Sequence, residues 1–396
     1  MIEADVRGQV VLVRCDLNLP LKDGVISDST RLDRVVPTLA ALADRGAKVV
    51  VLSHFGRPKG REPEASLRRM VAPLTQSLDR PVGFVSDCIG AEVKDAIQKL
   101  PRGGVLLLEN LRFYPEEEAN DPKFADDLAA LGDLFVNDAF SAAHRAHAST
   151  VGIAERLPAY AGPLMLEELA ALKLAVDRPE RPVAAIVGGS KISSKIKVLE
   201  HLIAKVDLLI IGGAMANTFL LAQGYRMGKS LVEADYTATA LDILEAAKLE
   251  GCTILLPVDL VVAASLAPNL SSRVAAIDHV PERQMALDLG PASVEAIVAQ
   301  ISNCKTLLWN GPLGAFEIPP FDEATTRLAQ QVASLVHREK LIAIAGGGDT
   351  VAALNLAAVT RDFSYVSTAG GAFLEYLEGV ELPGIAALRG AFLEPI

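Results

Sequence analysis

Arginine and histidine gather where apolar runs end in the first half of the chain: Arg14-Cys15-Asp16-Leu17-Asn18, Ser53-His54-Phe55-Gly56-Arg57-Pro58 and Glu109-Asn110-Leu111-Arg112. The matching positions of the second half carry glycine with lysine or aspartate: Gly188-Gly189-Ser190-Lys191, Gly212-Gly213 and Gly346-Gly347-Gly348-Asp349-Thr350. Guanidinium forks suit a small, highly charged phosphorylated or carboxylated molecule. Glycine turns that open a helix suit the phosphate chain of a nucleotide. One anionic ligand for each half implies transfer of a phosphoryl group between the two.

Taken singly, Arg31, Arg57, Arg112 and Arg145 read as solvated surface charges, the usual state of arginine. Together with His54 they read as a site, because most of them end strands beside Gly, Pro or Asn. Asp16 and Asn18 either accept from substrate hydroxyls or orient these arginines. His144 and His147 lack a third ligand nearby, which argues against zinc. Lys191 and Lys195, four apart, are expected on one helix face with an anion between them. Asp349 suits Mg²⁺ through oxygen. The loop Trp309-Asn310-Gly311-Pro312-Leu313-Gly314-Ala315-Phe316-Glu317 offers a carboxylate for ribose hydroxyls. Gly224-Tyr225-Arg226-Met227-Gly228-Lys229-Ser230 falls one residue short of a P-loop and follows a helical pattern, so it reads as a decoy. The Gly-x-Gly-x-x-Gly fingerprint of a nicotinamide dehydrogenase follows no first strand. A non-catalytic two-lobed anion binder would need neither Lys191 nor Asp349.

These residues require elements that aim them at one edge. Apolar runs at 10–13, 48–52, 105–108, 134–136, 183–187, 208–211, 306–309 and 341–344 are continuous rather than alternating. That is the pattern of strands buried on both faces. Helical patterns lie between them, such as Leu32, Val35, Val36, Leu39 and Leu42, closed by Gly46, with Pro37 predicting a kink. The alternation predicts an α/β fold of two doubly wound, Rossmann-like parallel sheets, with ligands at the carboxyl ends of the strands. At 396 residues, two domains are expected. Residues 157–163 read as a break, followed by a helix bearing Leu166, Leu169, Leu172 and Val176 that serves as a hinge. The expected domains are 1–162 and 163–381, with the cleft between them.

A net charge of −11 argues against a nucleic-acid partner. Cys15, Cys88, Cys252 and Cys304 form no Cys-x-x-Cys pair, which fits a reducing cytoplasm without disulfides. Met1-Ile2-Glu3-Ala4-Asp5 has acids where a signal peptide has bases. The uncharged stretch 208–225 raises the question of a membrane span, but Gly212-Gly213, Asn217, Thr218 and Gln223 favour strand, turn and helix. A soluble protein is expected.

In this order, the segments 14–20, 53–58, 109–113, 144–150, 188–195, 309–317 and 347–350 closely resemble the phosphoglycerate kinases, nearly end to end. The resemblance implies reversible, Mg²⁺-dependent in-line transfer between 1,3-bisphosphoglycerate and ADP, giving 3-phosphoglycerate and ATP, by a usually monomeric hinge enzyme of glycolysis or carbon fixation. It implies that Asp16, Leu17, Asn18, Arg31, His54, Phe55, Gly56, Arg57, Arg112 and Arg145 hold 3-phosphoglycerate. Lys191, Lys195, Gly212, Gly213, Asn310, Glu317, Gly347, Gly348, Asp349 and Thr350 are then the nucleotide set, with Asp349 serving Mg²⁺. Arg31 and Lys191 are the implied catalytic pair. Residues 382–396 are implied to return to the first domain. Two departures stand out: Ser190 replaces a usual alanine, and Ser367-Thr368-Ala369-Gly370-Gly371 replaces a turn with three successive glycines, so that Ala369 is expected to lose access to positive φ.

Overall fold

The computed structural model describes residues 5–22 and 24–388. Contacts divide the chain into two compact units, one running to Leu169 and resuming at Glu381, the other spanning Ala170–Val380. The division falls within the helix Pro163–Leu172.

The first unit is built on six parallel strands, β1 (Val10–Arg14), β2 (Lys48–Leu52), β3 (Val82–Phe84), β4 (Val105–Leu107), β5 (Leu134–Asn137) and β6 (Ala159–Ala161), in the order β3-β4-β2-β1-β5-β6. The order reverses between β1 and β5, so their carboxyl ends open a crevice between connections that leave in opposite directions. Val11, Val13, Val49, Val51 and Val136 are fully buried and pack with Leu32, Val35 and Leu39 of the helix Thr30–Asp44. That helix runs through Pro37. The segment expected to be a plain break instead supplies the edge strand β6. It is three residues long and flanked by Pro158 and Pro163, too short and too punctuated to show a strand pattern. Asp138, just past β5, accepts from the Leu164 and Met165 N–H groups at 2.8 and 3.2 Å and caps the following helix. The short helix Pro383–Ala386 returns to this unit, where Gly384 N–H donates to the Ala143 carbonyl at 2.8 Å. Residues 389–396 of the expected returning segment lie outside the described residues.

The second unit also carries six parallel strands, β7 (Val183–Val187), β8 (Leu208–Ile211), β9 (Thr253–Leu255), β10 (Thr306–Asn310), β11 (Ile342–Gly346) and β12 (Tyr365–Ser367), in the order β9-β8-β7-β10-β11-β12. The reversal lies between β7 and β10. There the glycines that end the two strands touch backbone to backbone: a Cβ on Gly188 would strike the Pro312 carbonyl, and one on Gly311 the Gly188 carbonyl. No side chain fits at that crossing. The apolar pattern did not show the antiparallel ribbon, in which Asp259–Ala263 pairs with both Arg273–Ala276 and Met285–Leu289. Its strand Arg273–Ala276 has no buried residue, so it lacks the continuous apolar run that marks the main sheets. Among the described residues, no helix is long and apolar enough to cross a membrane, and 208–225 forms β8, the glycine turn and the helix Ala214–Ala222.

Candidate active site

Beyond the end of β1, Asp16 and Asn18 orient other groups. Asp16 pairs with Arg31 at 3.0 Å, accepts from Asn18 N–H at 3.0 Å and takes the Ser141 hydroxyl. The Asn18 carbonyl accepts from Arg31 Nη1 at 2.9 Å, and its side-chain oxygen accepts from Gly56 N–H at 2.9 Å. Arg112 donates to the Gly56 carbonyl at 2.6 Å and forms an ion pair with Glu118. Asn110, fully buried, accepts from Phe55 N–H and donates to the Phe55 and Ala65 carbonyls, tying the β2 and β4 ends together. Leu17 N–H donates to Ser53 at 3.0 Å. Thus Asp16, Leu17, Asn18, Arg31, Phe55, Gly56 and Arg112 are joined into one bonded edge. Arg57 is exposed on the same loop, and Arg145 lies next to His144, donating to it at 3.2 Å.

Glu117, absent from the motifs above, holds this edge from behind together with Arg14 and Ser149, which those motifs contain without an assigned role. Arg14, 1% exposed, donates to Ser149 Oγ and to His54 Nδ1, both at 2.9 Å, and to the Cys15 carbonyl. Ser149 in turn donates its hydroxyl and its N–H to the two oxygens of buried Glu117, at 2.5 and 2.9 Å. Burial pushes the Glu117 carboxyl up, while Arg14 and the Ser149 donors pull it back. Burial followed by the charges of Arg14, Arg112 and Arg145 depresses His54 well below the usual imidazole value. The same causes lower His147 to about 3. A sequence signal for Arg14 existed: a charge inside an otherwise apolar strand needs a buried partner.

In the second unit, Lys191 and Lys195 do not share a helix face. Lys191 is extended, Ile192–Ser194 form one 3₁₀ turn, and the α-helix Ile196–Ile203 begins only after Lys195. Glu233 holds that turn open, accepting the Ser193 N–H at 3.0 Å and its hydroxyl at 2.6 Å. Lys195 reaches Asn310 Oδ1 at 2.7 Å, while Asn310 Nδ2 donates to the Gly346 carbonyl at 2.7 Å. Asn310 therefore couples the ends of β10 and β11. Burial lowers the Lys195 ammonium, and Asp349 is the main group raising it again. Gly213 and Gly347 cap the N-termini of the helices Ala214–Ala222 and Gly348–Leu356, which present backbone donors at the strand ends. Thr350 is buried and accepts from Gly311 N–H at 2.7 Å, bracing the crossing. Positive φ in the variant turn falls on Gly370, at 55°, and not on Ala369, so the alanine there forfeits nothing.

Gly189, Gly213, Glu317 and Asp349 line a cavity of about 530 Å³ together with apolar side chains, among them Leu260, Met285 and Leu313. Two of these come from the unforeseen ribbon. A lining that joins glycine turns and carboxylates with apolar side chains suits a nucleotide, which offers both phosphates and a base. Lys229, from the near match to a P-loop, also lines the cavity, but its loop docks on the ribbon through Lys229 N–H and the Gln284 carbonyl at 2.8 Å. No cluster of three or more His, Cys, Asp or Glu suited to a metal occurs among the described residues. The single carboxylate of Asp349 nevertheless fits Mg²⁺, which takes most of its ligands from phosphate and water.

A family model described as phosphoglycerate kinase matches residues 1–380. A phosphoglycerate kinase from Bradyrhizobium diazoefficiens is 55% identical over 387 residues, covering 98% of this chain and 97% of the relative. One from Granulibacter bethesdensis is 56% identical over 386 residues, covering 97% of this chain and 98% of the relative. The structure of phosphoglycerate kinase from Coxiella burnetii matches with a TM-score of 0.91 at 41% identity, covering 98% of both chains.

Proposed function

The chain belongs to the phosphoglycerate kinase family, a phosphotransferase family with a carboxyl acceptor, and on that footing we propose which residues hold each substrate. The bonded edge of the first unit takes 3-phosphoglycerate. Arg31, Arg57, Arg112 and Arg145 supply charge to its phosphate and carboxylate, His54 supplies a neutral donor, and Asp16, Leu17, Asn18, Phe55 and Gly56 shape the edge. The cavity of the second unit takes the nucleotide. Glu317 faces the ribose, and Lys191, Lys195 and the helix N-termini beyond Gly213 and Gly347 face the phosphates, with Gly212, Gly348, Asn310 and Thr350 setting the turns. The observation that supports this division is the cavity itself, whose lining combines glycine turns, Glu317 and Asp349 with apolar side chains of the ribbon.

Seen from the ATP side, the nucleophile is a carboxylate with a reference pKa of about 4, ionised at neutral pH. No general base is required. The protein's task is to position the two substrates and neutralise charge on the moving phosphoryl group, and Arg31 and Lys191 are assigned to it. Mg²⁺, held by Asp349 together with the nucleotide, supplies further positive charge on the phosphate oxygens when bound. The protein acts in the cytoplasm as a monomer, which light scattering of the purified chain tests.

Calorimetric titration of variants tests the division of substrates. Arg112→Met should weaken 3-phosphoglycerate and leave MgATP unchanged, and Lys195→Met should do the reverse. A variant that weakens both ligands equally, with its fold intact, would remove the assignment.

A further inference from the structure

We propose that Arg14 acts as a positioning residue that fixes the tautomer of His54, keeping the imidazole proton on Nε2, so that the ring presents one invariant N–H donor at the substrate edge. This deepens the reading above and rests on it for the identity of the ligand. Its geometric core does not.

Arg14 ends β1 and is 1% exposed. A guanidinium has only donors to offer, and at any ordinary pH it keeps all of them. Its Nη2 lies 2.9 Å from His54 Nδ1. A proton on Nδ1 would set N–H against N–H at that distance, so Nδ1 must present its lone pair. A neutral imidazole with an unprotonated Nδ1 carries its proton on Nε2. Among the described residues, Nε2 has no hydrogen-bond partner, which leaves that N–H for a ligand.

The lock requires that Arg14 itself cannot turn. Nε donates to Ser149 Oγ at 2.9 Å, and Nη1 donates to the Cys15 carbonyl. The Ser149 hydroxyl cannot switch to donating back, because it is committed to Glu117 Oε1 at 2.5 Å, while its N–H holds Oε2 at 2.9 Å. Glu117 is fully buried, so rotating the guanidinium would separate a cation from the carboxylate that balances it inside the protein. The charged and titratable groups facing His54 are Arg14 from β1, Arg112 from the turn after β4, and Arg145 and His147 from the segment before Ala148. The three guanidinium groups each oppose a second proton on the ring. His147, lowered to about 3 by burial and the same arginines, adds no charge near neutral pH. The consequence is functional: a histidine at its ordinary value would change charge between pH 5 and 8 and make anion binding follow pH. A locked neutral donor does not.

The test is ¹⁵N NMR of the full chain with labelled histidine, from about pH 8 to about pH 5.5. The expected spectrum of His54 has an unprotonated Nδ1 and a protonated Nε2, unchanged over that range. A proton on Nδ1, or a ring that titrates near the ordinary imidazole value, overturns the proposal whatever the variants do. Arg14→Met removes the donor. It should release His54 into mixed tautomers that titrate, raise KM for 3-phosphoglycerate about tenfold and make that KM depend on pH. Arg14→Lys, which keeps a donor, should recover part of both. If Arg14→Met keeps its fold and leaves the His54 spectrum of the wild type, Arg14 is not the lock. Adding 3-phosphoglycerate should shift the Nε2 resonance. If the tautomer is as stated and that shift is absent, the positioning role stands and the placement of the substrate is what fails.

Discussion

Arg31 is aimed before any ligand arrives. The Asp16 carboxylate and the Asn18 carbonyl hold its guanidinium, and Asp16 is itself fixed by Ser141 and by Asn18 N–H. A group pre-set in this way stabilises developing charge without reorganising at the moment of reaction. Arg31→Ala should therefore lower kcat by about 10²-fold or more, with circular dichroism and melting temperature near those of the parent. Near-normal turnover would dismiss Arg31 from catalysis. His147 has a different role. Its folded-state pKa is about 3 against an ordinary value of 6.5, so the unfolded chain binds the extra proton first. Its contribution to stability is thus complete above about pH 6.5 and is lost as pH falls towards 3. His147→Asn should flatten the dependence of the urea midpoint on pH across that window, and an unchanged slope would place the acid sensitivity elsewhere. The arginines proposed to face the ligand stood out in the sequence because arginine beside Gly, Pro or Asn at a strand end marks a functional loop. Glu117 did not, nor did the bonds that Ser149 and Asn110 make, because a buried polar group reveals itself only through partners that lie far away in sequence.

The 3₁₀ turn Ile192–Ser194 shows what an element adds to the residues it carries. Lys191 and Lys195 have the spacing of helical neighbours, yet Glu233 anchors the turn between them and delays the helix until Ile196. Local spacing suggested one geometry and a tertiary hydrogen bond imposed another. Glu233→Ala should leave both lysines in place chemically while loosening their presentation. The expected result is a rise of about tenfold in KM for MgATP, as for loss of hydrogen bonds to a charged acceptor, with KM for 3-phosphoglycerate unchanged. Equal effects on both substrates would point to a global defect. The main parallel strands were read from the sequence to within two residues because burial on both faces writes a continuous apolar run. Val183–Val187 and Leu208–Ile211 match the expected ranges at both ends. The strands Val82–Phe84, Ala159–Ala161, Thr253–Leu255 and Tyr365–Ser367 are three residues long and lack a continuous buried run, whereas the equally short Val105–Leu107 was legible because its apolar run continues through buried Leu108. The ribbon was missed because Arg273–Ala276 buries no residue and Asp288 interrupts the apolar run of Met285–Leu289, and with it went much of the apolar lining of the cavity proposed for the nucleotide.

At the scale of the molecule, an acidic protein of net charge −11 binds two anions. Long-range attraction cannot supply that affinity, so in the proposed division each ligand would depend on local donors: guanidinium groups in the unit that runs to Leu169, and glycine turns, lysines and helix N-termini in the unit Ala170–Val380. Each unit has its own apolar core, the first around Val11, Val49 and Leu39, the second around Ile186, Leu307 and Ala343. Ligand binding should therefore stabilise the units separately. A ligand at one hundred times its Kd adds about 2.7 kcal/mol to whatever folds around it, which slows amide exchange in that region about a hundredfold where exchange follows opening of the whole unit. Hydrogen-exchange mass spectrometry should thus show 3-phosphoglycerate protecting the strand ends at Arg14–Asn18, 53–58 and 109–113, with little change in 183–187 or 342–346. MgATP should show the opposite pattern, and Trp309, the only tryptophan, sits fully buried in the second core as an independent fluorescence reporter of that unit's unfolding. With 3-phosphoglycerate alone, the fluorescence midpoint in urea should stay where it is while exchange in the first unit slows. If one ligand protected both cores to the same extent, the units would have to be stabilised as one body, and the assignment of one substrate to each would lose its energetic basis.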